Sequence, residues 1–402
     1  MFERELTHLL RCYKILPNYK SGLMYNSTLR FQNFLRLAYR QLFVQTRVFG
    51  QTLNMENIMD NKDMIDKIIK IKQELGNRLL ILTHHYQRTE IIDLGDHKGD
   101  SFGLSQRAAM DENAKYIVFC GVHFMAESAA ILAKDHQIVQ IPDMDAGCWM
   151  ADMADSYLVE TAWNEVTAIA GENSVTPLVY MNSDAFIKAH CGRNNGAVCT
   201  SSNAVKAFEW AFKQKEKIFF FPDEHLGRNT GNNLGIPANE MIVWDPEKTL
   251  GGNTDQEIKK AKVILWKGYC LVHTRFTTND MESMRKDFPN AKIVVHPECT
   301  QEVVKESDAV GSTSFIVKYV ADSPKGATII IATEINLIKR LALEYPDKKI
   351  IPLKNSLCPN MYKINLKNLL NCLENIGQTN IVGVDETIKK DAFIALENML
   401  NL

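Results

Sequence analysis

Leu79-Leu80-Ile81-Leu82-Thr83-His84-His85-Tyr86 reads as a short buried strand that runs straight into imidazole and phenol side chains. Consecutive large apolar residues without alternation are what a parallel strand needs when helices cover both of its faces. The same grammar recurs twice more, as Pro177-Leu178-Val179-Tyr180 leading to Asn182-Ser183 and Ile293-Val294-Val295 leading to His296-Pro297-Glu298. After each comes a small, hydroxyl-rich turn that opens a helix: Gly99-Asp100-Ser101, Thr200-Ser201-Ser202-Asn203 and Gly311-Ser312-Thr313-Ser314. Helix starts of this kind present unpaired N–H groups and bind anions well.

A second strand follows in every pass, as Tyr116-Ile117-Val118-Phe119, Ile218-Phe219-Phe220-Phe221 and Thr328-Ile329-Ile330-Ile331. A third then delivers a cysteine. Ile138 to Ile141 precedes Cys148, Val263-Ile264-Leu265-Trp266 precedes Cys270, and Ile350-Ile351 precedes Cys358. We read this as internal triplication. The expected fold class is α/β: three homologous three-layer α/β/α units with short parallel sheets around a pseudo-threefold axis. Ligands of open α/β sheets collect beyond the carboxyl ends of the strands, so the strand-end residues and three cysteines are expected to face one central cavity. The units are expected at residues 56–160 (with Cys148), 161–275 (with Cys270) and 276–402 (with Cys358 and C-terminal helices). The stretch from Asp245 to Lys260, with Gly251-Gly252-Asn253, reads as a surface loop on the second unit.

With 402 residues, 46% of them hydrophobic, the chain can bury two or three cores. Its 46 Lys and Arg against 48 Asp and Glu create no field that would draw nucleic acid or a membrane surface. Apolar runs such as Ile117 to Cys120 fall far short of the roughly 20 residues that span a bilayer. Small molecules are the expected partners. The first 55 residues differ from the rest: no acidic residue stands between Glu5 and Glu56, while Arg11, Lys14, Lys20, Arg30, Arg36, Arg40 and Arg47 are basic. This extension reads either as an organelle-targeting presequence or as a stretch upstream of the real start, at Met55; the remainder is read as cytoplasmic. A helix is expected over residues 57–75, stopped by Gly76.

Nine cysteines, an odd number, are scattered without any C-x-x-C pair. That argues against a disulfide framework, a zinc ribbon or a ferredoxin run. A lone cysteine after a strand is usually a small buried hydrophobe. Equivalent placement in three units outweighs that reading for Cys148, Cys270 and Cys358 only. Three thiolates on a four-iron cluster leave one iron without a protein ligand, and such an iron can act as a Lewis acid.

The residues carry a resemblance over roughly 84–370. The segments are His84-His85-Tyr86-Gln87, Gly99-Asp100-Ser101, Gly121-Val122-His123-Phe124-Met125-Ala126-Glu127, Cys199-Thr200-Ser201-Ser202-Asn203, Pro222-Asp223 with Leu226-Gly227-Arg228, His296-Pro297-Glu298 and Val310-Gly311-Ser312-Thr313. The cysteine contexts Ala146-Gly147-Cys148, Gly268-Tyr269-Cys270-Leu271-Val272-His273 and Cys358-Pro359-Asn360-Met361 belong with them. Together they resemble the quinolinate synthases, the A proteins of NAD biosynthesis.

The resemblance implies one [4Fe-4S] cluster per chain, with Cys148, Cys270 and Cys358 as its ligands. It implies a condensation of iminoaspartate with dihydroxyacetone phosphate that loses phosphate and two waters and closes the pyridine ring of quinolinate. An L-aspartate oxidase or dehydrogenase supplying iminoaspartate would be a functional partner. His84, Ser101, Tyr180, Asn182, Ser201, His296, Glu298 and Thr313 match the iminoaspartate-contacting set. Tyr86 and Glu298, grouped with His296 as catalytic residues, are the candidates for proton transfer. Glu298 is expected to serve as a direct base, Tyr86 through a depressed phenol pKa or a relay. His85 reads as bonded to a loop, Cys120 and Cys299 as core. His123 and Glu127 read as intrahelical support or as hydrogen-bond partners behind the site. The isolated Cys358, where some members carry a C-x-x-C pair, and the basic extension depart from the pattern. Two rivals stand beside this reading: the three-domain iron-sulfur proteins of diphthamide synthesis, which use S-adenosylmethionine, and a regulatory metal-binding protein without catalysis.

Overall fold

Continuous burial is the signature that decides the architecture. In the computed structural model, which describes residues 60–402 apart from Glu172, every position of β1 (Leu79–His84) is buried. The basic extension, with Met55 and Cys12, lies outside the described residues. The expected first helix is present from residue 60 to residue 75. A strand buried on both faces needs cover above and below, and helical crossovers between parallel strands supply it.

β1 is followed by β2 (His97–Gly99), β3 (Tyr116–Cys120) and β4 (Ile138–Gln140), hydrogen-bonded in the order β2-β1-β3-β4. The second sheet contains β5 (Val175–Tyr180), β6 (Ala197–Cys199), β7 (Lys217–Phe221), β8 (Met241–Trp244) and β9 (Val263–Trp266), in the order β6-β5-β7-β9-β8. The third contains β10 (Lys292–Val295), β11 (Ala309–Val310), β12 (Thr328–Ala332) and β13 (Lys349–Pro352), in the order β11-β10-β12-β13. All pairings within them are parallel. The fold is α/β with three short parallel sheets flanked by helices, one sheet inside each of the ranges 56–160, 161–275 and 276–402.

The edge strands β2, β6 and β11 have two or three residues each, too short to leave a periodic trace. They nevertheless set the register of the site. The last residue of each central strand pairs with a residue at or just before the start of a hydroxyl-rich turn: His84 with Gly99, Tyr180 with Cys199, Val295 with Val310. Strand-end and helix-start groups are thereby held side by side.

The second unit corrects one expectation. Beyond β8, which adds a fifth strand parallel to β9, the stretch from Asp245 to Lys260 is not a plain surface loop. It folds into a 3-10 turn (Thr249–Gly252) and a helix (Asp255–Lys260) closed by a Thr254/Glu257 capping box. The glycines that suggested a loop serve close packing: Gly251 has φ +63°, and a Cβ there would stand 2.4 Å from the Trp244 ring.

Gly268 matters more for the site. A Cβ on it would lie 2.3 Å from the Pro222 carbonyl oxygen, and its own carbonyl accepts the Glu224 N–H at 2.8 Å. Only a glycine lets the segment leading to Cys270 pass this close to the start of the helix Glu224–Asn233. Gly268→Ala is expected to destabilise the protein by about 1–3 kcal/mol and to loosen the Cys270 turn. A lowered denaturation midpoint in urea checks this, with Gly383→Ala, where no atom lies within 4 Å of the added Cβ, as the near-neutral control.

Candidate active site

Beyond the carboxyl ends of the strands lies a cavity of about 90 Å³, whereas a single water needs only about 10–15 Å³. Every residue singled out above as a thiol ligand, substrate contact or proton-transfer candidate lines it. The three repeated helix starts meet at its wall. Asp100 caps the first helix through Gly103 N–H at 2.9 Å, and its other oxygen accepts from Ser202 Oγ at 2.6 Å. A hydrogen bond with Ser314 completes the knot. Burial would raise the Asp100 carboxyl, but these donors together hold it below its ordinary range.

Two strand ends share one local geometry. The Tyr86 N–H donates to His84 Nδ1 at 3.2 Å, and the Glu298 N–H donates to His296 Nδ1 at 3.4 Å. Burial, with a neighbouring imidazole adding to it, lowers both His84 and His296 to about 3. Both rings are therefore neutral near pH 7, and with Nδ1 accepting, the proton sits on Nε2. The cavity thus owns two imidazole N–H donors, with the hydroxyls of Ser101, Ser201 and Thr313 on the same lining. Such a donor set suits carboxylate or phosphate oxygens.

A chain of hydrogen bonds runs behind them. Tyr86 OH lies 2.7 Å from Thr333 Oγ1, which lies 3.1 Å from His273 Nε2; His273 Nδ1 lies 2.8 Å from Glu298 Oε2. Tyr180 OH donates to the other oxygen of Glu298, and His273 stacks on His296 with centroids 4.4 Å apart. Burial alone would push the Glu298 carboxyl up, yet His273, His296 and the two donors hold it well below the carboxylate range. An ionised Glu298 fixes the His273 proton on Nδ1 and leaves Nε2 as the acceptor in the chain. Burial first, and then the Glu298 charge, hold the Tyr86 phenol well above its ordinary range, so Tyr86 is a proton donor at rest.

The three thiols close the other side of the cavity. Cys148, Cys270 and Cys358 are partly exposed, whereas Cys120, Cys191, Cys199, Cys299 and Cys372 are buried. Each sulfur sits on a turn whose backbone N–H groups point at it: Met150 and Ala151 for Cys148, Val272 for Cys270, Asn360 and Met361 for Cys358. Backbone nests of this kind favour a negative sulfur. Burial nevertheless pushes the Cys148 thiol up to about 12 and Cys358 to about 11 and raises Cys270 well above its ordinary range, with Cys148 feeling the charge of Cys358, and Cys270 that of both others. Sulfurs close enough to repel, turned to one space and provided with N–H donors, fit a shared metal centre that supplies the missing positive charge. Cys270, His273 and Glu298 also place ligand atoms within 4.8 Å of one another. As a separate single-ion site that group is weak, because both His273 nitrogens and both Glu298 oxygens already have partners.

Sequence reasoning assigned no role to His273, Thr333 or Glu334. Thr333 and Glu334 directly follow β12, so the strand-end rule applied to second as well as first strands would have found them. Glu334, buried and raised by that burial to about 8, accepts the Cys358 N–H at 3.4 Å and so helps to set that turn. His85 is bonded not to a loop but to the buried Arg340 of the helix Ile335–Glu344, at 3.1 Å. His123 and Glu127 stand 3.9 Å apart across one helical turn. Cys120 and Cys299 are core residues.

Three parallel sheets whose strand ends, helix starts and thiols meet in one cavity define an α/β enzyme acting on small molecules. Within that class the family is specific. The model of the quinolinate synthetase A protein family matches residues 66–401, and the chain belongs to that family. It is 48% identical over 347 residues to a quinolinate synthase of Bacillus cereus, covering 85% of this chain and 94% of the relative. The Bacillus anthracis quinolinate synthase gives the same figures, and that of Bacillus cytotoxicus is 49% identical over 352 residues. Among the described residues no helix is long and apolar enough to cross a membrane.

Proposed function

We propose that this chain makes quinolinate from iminoaspartate and dihydroxyacetone phosphate, with loss of phosphate and two waters, in de novo NAD biosynthesis. We assign Cys148, Cys270 and Cys358 as the ligands of one [4Fe-4S] cluster. When bound, such a cluster supplies a Lewis-acidic iron at the position that lacks a protein ligand. The observation that carries the reading is that three equivalently placed thiols and two His-x-Tyr/Glu strand ends line one cavity.

In this reading the protein's own residues do the rest. His84 and His296 donate Nε2–H to the carboxylates of iminoaspartate, and Ser101, Ser201 and Thr313 receive the remaining oxygens at the helix starts. Asn182 and Tyr180 line the same pocket. Tyr86 gives or takes a proton at its hydroxyl, and Thr333 passes that proton to or from His273 Nε2. Glu298, already holding two donors, orients His273; we therefore place the proton acceptor at His273, with Glu298 behind it. The described cysteines are free thiols, which suits a reducing, cytoplasmic compartment. An L-aspartate oxidase or dehydrogenase would supply the unstable imine.

Anaerobic reconstitution with iron and sulfide, followed by a quinolinate assay with both substrates, tests the proposal. Quinolinate formation is expected. Cleavage of S-adenosylmethionine instead would point to the diphthamide-type chemistry. A fully iron-loaded protein that makes no quinolinate would overturn the assignment.

A further inference from the structure

The helix Ala185–Arg193 follows β5 closely, and the turn between them, Met181 to Asp184, carries Asn182 on the wall of the central cavity. Side chains of the turn do little to hold it: Asn182 Oδ1 and Ser183 Oγ are buried, and neither has a hydrogen-bond partner among the described residues. Its start is tied to β6, where the Met181 N–H donates to the Cys199 carbonyl at 2.8 Å. Its exit is fixed by two charged residues to which the reaction outlined above gives no role.

Lys188 is the first. It lies one turn into the helix, is 0% exposed, and its Nζ donates back to the Ser183 carbonyl oxygen. The same ammonium stands 5.6 Å from the centre of the Phe124 ring, which lines the cavity. Burial lowers the ammonium to about 8, and Glu127 is the largest of the charges that oppose this, so Lys188 stays charged near pH 7. Burying an ammonium is costly, and a methionine would fill similar space without that cost. Packing alone does not account for a lysine there.

Glu127 is the second. It belongs to the helix His123–Leu132 of the first unit, yet its carboxylate accepts the N–H of Ala185, the first residue of the second unit's helix. That N–H is one of the orphan donors that every helix start leaves. Burial pushes the Glu127 carboxyl up, and the Lys188 charge is the largest that opposes it. Ser128, the next residue, has its hydroxyl 3.1 Å from the Met181 sulfur. The turn bearing Asn182 is thus held at its exit by Lys188 on the Ser183 carbonyl and by Glu127 on the Ala185 N–H.

We propose that Lys188, with Glu127 as its counter-charge, is a positioning residue of the cavity: by fixing the Asn182 turn it sets how tightly a four-carbon dicarboxylate is held. This role rests on the reading that Asn182 contacts iminoaspartate.

Succinate, a four-carbon dicarboxylate that lacks the imine, is the probe, titrated calorimetrically into the full chain reconstituted anaerobically. Lys188→Met is expected to weaken succinate binding about tenfold. Because that variant leaves Glu127 without its counter-charge, Glu127→Gln/Lys188→Met is made beside it. The pair removes both charges, keeps an oxygen for the Ala185 N–H, and should melt near the parent, while still binding succinate about tenfold more weakly. Asn182→Ala should cost about the same, and adding the charge-free pair to it should cost nothing further, since residues that act through one another are not additive. Parent affinity in the charge-free pair or in Asn182→Ala, or a full second loss in the triple variant, would each overturn the role. A parent protein that fails to bind succinate would sink the dicarboxylate reading of the cavity and this role with it, whereas the other outcomes bear on Lys188 alone.

Discussion

Tyr86→Phe is expected to lower kcat by about 10²–10⁴-fold while leaving iron content, fold and substrate affinity near those of the parent. The substitution removes one oxygen, the one 2.7 Å from Thr333 Oγ1, and keeps the ring that packs edge-on against His84 with centroids 4.8 Å apart. Its effect should therefore fall on proton transfer and not on packing. His273→Asn should produce a loss of similar size, since it cuts the same chain between Thr333 and Glu298. If the two act as one relay, the double variant costs little more than either single one, because residues that work as a unit are not additive. Fully additive losses in single-turnover measurements would show that Tyr86 and His273 act separately. The pH profile adds a second check. Burial holds the Tyr86 phenol well above its ordinary range, so no gain in rate should appear on raising the pH toward 10 from ionisation of this residue.

Conversion of Cys148, Cys270 or Cys358 to Ala should each abolish the brown absorption of the reconstituted protein and quinolinate formation together. On the proposed ligand set a cluster would be left with two protein ligands, and the altered turn would keep N–H donors aimed at a sulfur that is gone. Cys299→Ala makes the informative comparison. Cys299 follows Glu298 directly, yet its sulfur is fully buried among Ile293, Val295 and Ala332 and points to the Ala332 carbonyl at 3.9 Å. Its loss should cost some stability and leave iron near normal. Iron bound at the parent level in a variant lacking all three cavity thiols would refute the ligand assignment.

Much of the site was legible because strands report on themselves locally. β1, β5 and β10 are apolar runs that any parallel sheet must bury, and the polar groups that end them have nowhere to go but the carboxyl edge of the sheet. The threefold recurrence then separated Cys148, Cys270 and Cys358 from cysteines whose flanking residues look no different. Other features were illegible for equally physical reasons. The edge strands are shorter than any periodicity, and the extra strand β8 lies beside glycines that also mark loops.

From the chain order alone came the class of fold, the direction of the strands and the set of side chains that would line a common cavity, because burial and spacing are written in consecutive residues. Only the tertiary structure decided what those side chains do to one another. In the sequence Glu298 is a carboxylate at a strand end; that Tyr180 and His273 stand at its two oxygens is visible only in the structure. His273 and Thr333, 60 residues apart, became hydrogen-bonded neighbours only once the sheets were brought together. Periodicity records which face a residue turns inward, whereas hydrogen-bond partners and pKa depend on atoms a few ångströms away that the local sequence never mentions.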